Sequence, residues 1–151
     1  MAHTRPPTQS ECKLNKVKVL LADDHPGFPE LVEHILPSEF EVVGKVANGR
    51  SLVEETMKLT PDVIVTDITM PVLNGIEAVD QLMASGCKSR IVFLTVHSDS
   101  DFIRRCFAAG ASGYVVKSHV AVDLVPAIRE ALAGHVFVSR SQPQRSFHAK
   151  P

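Results

Sequence analysis

The sequence predicts an α/β domain on a mostly parallel sheet of strand order 2-1-3-4-5, with helices on both faces. Three observations carry this. Strand-like apolar runs alternate five times with stretches of helical periodicity. The runs Val63-Ile64-Val65 and Ile91-Val92-Phe93-Leu94 are apolar throughout, as strands covered on both faces are. Four strands end in chemically capable residues: Asp23-Asp24, Asp67, Thr95 and Lys117. Open parallel sheets place their ligand crevice outside those ends, at a topological switch point.

The elements follow in order. Residues 1–15 are polar, with two prolines, and read as a loose arm before a domain spanning 16–139. Val17 to Ala22 is the first strand. Apolar positions 28, 31, 32, 35 and 36 give a helix from Phe28 to Leu36, with Pro29 in the first turn, where its missing N–H does no harm. Glu41 to Val46 is the second strand and Ser51 to Leu59 the second helix. Asp62 to Thr66 is the third strand. A turn holding Pro71, Asn74 and Gly75 leads into a helix from Gly75 to Ala84, stopped by Gly86. Arg90 to Leu94 is the fourth strand, and Asp99 or Ser100 caps a helix that runs to Ala109 and closes at Gly110. Gly113 to Val116 is the fifth strand. The last helix is read from Asp123 to Ala133, because Pro126 is tolerable only near its start. HVFVS (135–139) is a short extended piece, and 140–151 is a polar tail.

Composition narrows the function. A chain of 151 residues, 44% hydrophobic and 22% charged, suits one soluble domain with an ordinary core. A net charge of −1 gives no reason to expect a nucleic-acid surface. No apolar run has membrane-spanning length, and the N-terminus lacks the apolar segment of a signal peptide, so a cytoplasmic location is expected. Cys12, Cys87 and Cys106 are odd in number and widely spaced, as reduced thiols are. The seven histidines show no metal-ligand spacing and take surface or cap roles by default.

With strands one and three adjacent, the carboxylates Asp23, Asp24 and Asp67 meet in one crevice. They repel unless a proton or cation intervenes. A hard divalent ion such as Mg²⁺ prefers oxygen ligands and would leave room for a phosphoryl oxygen. A carboxylate can then attack phosphorus, while Lys117 supplies positive charge and Thr95 a hydroxyl donor.

The ordered motifs "LLADDH … VTDITMPVLNGIEA … LT … GYVVK" resemble the receiver domain of two-component response regulators, over roughly Val17 to Ser139. They look most like receivers of the NarL/FixJ type, which have the flavodoxin-like (βα)5 fold. The resemblance implies Asp67 as phosphoacceptor, with Mg²⁺ held by Asp23, Asp24, Asp67 and the backbone carbonyl of Thr69. Thr95 and Lys117 would contact the phosphoryl group, and Thr95 with Tyr114 would form the switch. A sensor histidine kinase or phosphotransfer protein would be the donor. Homodimerisation on phosphorylation, through the helix 4–strand 5–helix 5 face, is a further expectation. The resemblance also sets residues 69 and 97 beside the path of a hydrolytic water, where Thr69, His97 and the bulk of Val96 suggest a long-lived phosphoryl group.

Departures and rivals complete the reading. Ser118 stands where many receivers have a proline after the lysine. The 12 residues after Ser139 are too few for a helix-turn-helix, so no DNA-binding output domain is expected in this chain. A phosphohydrolase of the haloacid-dehalogenase type would need a second Asp two positions after Asp67, where Thr69 stands. A pseudo-receiver that only binds a partner would have no need of the acidic set, Thr95 and Lys117 together. Met70 and Phe107 read as core.

Overall fold

A computed structural model describes residues 16–97 and 99–139. The arm at 1–15 and the tail at 140–151 lie outside the described residues, as does Cys12. Strands β1 (Val17–Ala22), β2 (Phe40–Val46), β3 (Val63–Thr66), β4 (Arg90–Thr95), β5 (Gly113–Val116) and β6 (Phe137–Val138) form one sheet. Its order is β2-β1-β3-β4-β5-β6, and every neighbouring pair is parallel. The helices are α1 (Phe28–Ile35), α2 (Gly49–Leu59), α3 (Gly75–Ala84), α4 (Ser100–Ala109) and α5 (Val120–Leu132).

Side chains alternate across a strand, so each strand feeds two cores. Leu20, Ala22, Ile64, Ile91, Phe93 and Tyr114 join Leu52, Val79, Leu82 and Cys106 under α2, α3 and α4. Val19, Leu21, Val63, Val65, Val92, Leu94 and Val115 join Val32, Leu124 and Ile128 under α1 and α5. Met70 is buried in the first core and Phe107 packs against it, as expected. Burial pushes the Cys106 thiol up to about 12, which keeps it protonated and inert.

Local signals explain the helix starts. Asn74 and Glu77 form a capping box on α3, and Asp99 caps α4 by accepting from the Phe102 N–H. Asn48 caps α2 by accepting from the Ser51 N–H, so that helix starts at Gly49 rather than Ser51. One other expectation is corrected. The last helix begins at Val120, not Asp123, because a 3-10 turn over Lys117–His119 leads straight into it. Pro126 therefore sits inside α5, on its exposed side, where the carbonyl its ring deprives of a partner can turn to water. The HVFVS piece is extended as expected and pairs as a sixth strand, with Gly113 opposite Phe137 and Tyr114 opposite Val138.

Candidate functional site

Strand register builds the site. Ala22 lies opposite Thr66, so the next residues, Asp23 and Asp67, leave adjacent strands side by side. The Asp67 N–H donates to the Ala22 carbonyl (2.9 Å), and the Asp23 N–H to that of Val46 (2.9 Å). Thr95 lies opposite Val116, which brings Lys117 to the same edge. The crevice opens between β1 and β3, where the strand order reverses.

Asp67 is almost wholly buried, at 3% exposure. Its Oδ1 accepts from the Ile68 N–H (2.7 Å), and its Oδ2 accepts from Lys117 Nζ (3.0 Å). Lys117 Nζ also stands 2.6 Å from Asp23 Oδ2, a charge contact off the hydrogen-bonding direction. That buried oxygen thus has a cation beside it and no donor aimed at it. Such an atom suits a metal ligand. Thr95 is fully buried, and its hydroxyl oxygen accepts from the His97 N–H (3.2 Å).

The loop after β3 holds Asp67 in place by backbone contact. The Gly75 N–H donates to the Ile68 carbonyl (2.7 Å), and a Cβ at Gly75 would lie 1.9 Å from the Asp67 carbonyl oxygen. Thr69 is exposed on this loop, with its hydroxyl 3.4 Å from His97 Nε2. The His97 ring stacks on Phe102 with centroids 4.2 Å apart. Tyr114 is already fully buried and donates from its hydroxyl to the His97 carbonyl (2.5 Å). Val96 is 65% exposed beside the crevice, on a groove it shares with His25, Phe28 and Lys117.

One residue of the site has no forecast in the sequence beyond its place next to Asp24. His25, expected to be an ordinary surface histidine, turns its ring into the crevice. Nδ1 lies 2.8 Å from Asp23 Oδ1, 3.7 Å from Asp24 Oδ1 and 3.4 Å from Asp67 Oδ2. The four residues offer ligand atoms within 4.8 Å of one another, close enough to surround one ion. With three carboxylates and an undonated buried oxygen, the residues present fit a divalent cation.

Fold and site together define a doubly wound α/β domain with an acidic, cation-ready crevice at its switch point. Residues 19–129 match the family model for the response regulator receiver domain, and the chain belongs to that family. It is 36% identical over 126 residues to the transcriptional regulatory protein DegU of Brevibacillus brevis, covering 82% of this chain and 53% of that protein. It is 33% identical over 127 residues to the nitrate/nitrite response regulator NarL of Escherichia coli K12, covering 82% and 58%. Among solved structures, a LuxR-family two-component response regulator from Aurantimonas sp. SI85-9A1 superposes with a TM-score of 0.78 at 34% identity, covering 88% and 96%. These likenesses are of the NarL/FixJ type. The chain spans little more than half the length of these two regulatory proteins. Among the described residues, no helix is long and apolar enough to cross a membrane.

Proposed function

We propose that this domain accepts a phosphoryl group on Asp67 from a sensor histidine kinase or phosphotransfer protein, and that residues 16–139 are the functional unit. The observation that carries the reading is the buried Asp67–Lys117 contact (3.0 Å) inside a cluster of further carboxylates. An Asp67 oxygen forms the bond to phosphorus as the bond to the donor's leaving group breaks. Lys117, freed from Asp67 Oδ2 by that bond, turns its charge to a phosphoryl oxygen. The Thr95 hydroxyl, which now only accepts, has its proton free to donate to another. Asp23, Asp24, Asp67 and the Thr69 carbonyl would hold Mg²⁺. When bound, the ion offsets the charge that otherwise opposes a phosphoryl dianion.

Thr95 and Tyr114 form the switch in this reading, and the face of α4, β5 and α5 is where homodimers or a partner form. Transcriptional control, the role printed for DegU, and a cytoplasmic location are part of the same proposal. His97 and Thr69, held together at the mouth, slow hydrolysis by crowding the water's approach. Signalling by self-phosphorylation, not turnover of a substrate, separates this from the phosphohydrolase reading, and Thr69 leaves that alternative without its second acid. The test is Mg²⁺-dependent labelling by acetyl phosphate, followed by intact mass. One stable adduct is expected in the wild type and none in Asp67→Asn. Uptake by Asp67→Asn at the wild-type rate would defeat the proposal.

A further inference from the structure

His25 stands outside the oxygen-only chemistry considered so far. Its side chain is 56% exposed, so nothing in the packing forces the ring inward. Yet Nδ1 points at the carboxylates and lies within 3.7 Å of an oxygen from each of Asp23, Asp24 and Asp67. The backbone helps fix this turn, because the His25 N–H also donates to Asp23 Oδ1 (2.8 Å).

The nitrogen is in a mixed setting. Lys117 Nζ, which has only protons to offer, is 2.9 Å from Nδ1, and Asp23 Oδ1, an acceptor, is 2.8 Å away. One ring nitrogen satisfies one of these neighbours, not both. Asp23 Oδ2, whose side chain is 6% exposed, meanwhile lacks any donor aimed at it. An ion that displaces the Lys117 ammonium from these atoms resolves both mismatches, since it takes the Nδ1 lone pair and the undonated oxygen together.

We infer that His25 Nδ1 is a nitrogen ligand of the divalent cation that this crevice takes. The inference rests on the cation-dependent reading of the site and adds a donor to it. Its consequence is selectivity. Mg²⁺ favours oxygen ligands and gives up water reluctantly, whereas imidazole favours first-row transition cations. The site therefore discriminates less strictly for magnesium than an all-oxygen crevice, and accepts transition divalent ions through His25.

The experiment uses the 151-residue chain with Mn²⁺ as the probe. Electron spin-echo spectroscopy of the Mn²⁺ complex should show modulation from a directly bound ¹⁴N in the wild type and none in His25→Asn. Titration should show Co²⁺ affinity falling about tenfold in His25→Asn, with Mg²⁺ affinity falling less. Asp24→Asn should abolish the Mn²⁺ signal, which ties it to this crevice. Circular dichroism on each variant separates lost ligation from lost folding. No nitrogen modulation in the wild type, or modulation that survives His25→Asn, overturns the inference. Acetyl phosphate labelling of the same samples keeps the two readings apart. A wild type that shows nitrogen modulation but never labels supports the ligand and counts against Asp67 as acceptor.

Discussion

The two ends of the sheet are both polar, yet they handle polarity in opposite ways. At the amino end, a groove of about 550 Å³ is lined by Thr60, Asp62, Cys87, Lys88 and Arg90 among others. There Asp62 laces strands together through its carboxylate and its backbone. Asp62 Oδ2 accepts from the Lys18 N–H (2.8 Å), its N–H donates to the Lys18 carbonyl, and its carbonyl accepts from the Arg90 N–H. Ser89 likewise donates to the Pro61 carbonyl (2.6 Å). At the carboxyl end, charges are set against one another and one buried oxygen is left without a donor. The amino-end groove is thus the quieter of the two. What marks a site here is unresolved electrostatics, not volume.

Substitutions at matched positions test this contrast. Lys117→Met leaves Asp23 and Asp67 buried without their cation, and should cost about 4 kcal/mol of stability by urea unfolding in chelator. Saturating Mg²⁺ should return a large part of it. Arg90→Met, at the exposed amino end, should stay within about 0.5 kcal/mol. Equal effects would erase the distinction between the ends.

Glycines sharpen it next. Gly75→Ala drives a methyl against the Asp67 carbonyl and should cost about 3 kcal/mol, with slower labelling of Asp67. Gly86→Ala, beside the amino-end groove, meets nothing within 4 Å and bears only the strain of φ +86°, so about 1 kcal/mol is expected. Thermal melts of the pair decide.

Strained non-glycine backbone is present at both ends. Val72 (φ 71°), exposed and β-branched, makes a tight turn in which the Leu73 N–H donates to the Pro71 carbonyl (2.8 Å); Thr60 (φ 44°) closes α2. Val72→Asn should gain about 1 kcal/mol, and Thr60→Asn somewhat less. A loss at Val72 would mean that its side chain carries a contact outweighing the strain.

The smallest effect concerns alkaline pH. Burial, then the nearby Cys106 and Asp99, push the Tyr114 phenol well above its ordinary 10.0. A raised folded-state value means the contribution is complete below about pH 10 and is lost as pH rises from there. Tyr114 is the chain's single tyrosine, so phenolate absorbance reports it alone. That absorbance should appear only as the circular dichroism is lost. Tyr114→Phe, which gives up the bond to the His97 carbonyl, should cost about 1 kcal/mol.

What the sequence made legible was whatever local chemistry controls. Gly75 and Ala84 bound α3, and Asp99 and Gly110 bracket α4, as the sequence predicts. Apolar runs marked β1 and β5 to the residue. The start of α5 is not legible from Pro126, because a proline is tolerated inside a helix on the side that faces water, and sequence position alone does not give that side. Strand β6 is two residues long and owes its pairing to β5, which no pattern in HVFVS announces. Asp23, Asp67 and Lys117 could be gathered from strand ends, since register alone decides their meeting. His25 could not, because a ring's direction depends on the charges it finds after folding.

The imbalance of three carboxylates against one ammonium in the crevice also governs encounter. A phosphodonor arrives as an anion, and metal-free protein meets it with a like-signed local field. Added salt should speed that approach, because screening within a Debye length of about 8 Å at physiological ionic strength weakens the repulsion. A divalent ion brings those four groups to neutrality. In the proposed reaction, association with the donor should then lose much of its dependence on ionic strength, which stopped-flow rates at low and high salt, with and without Mg²⁺, would measure.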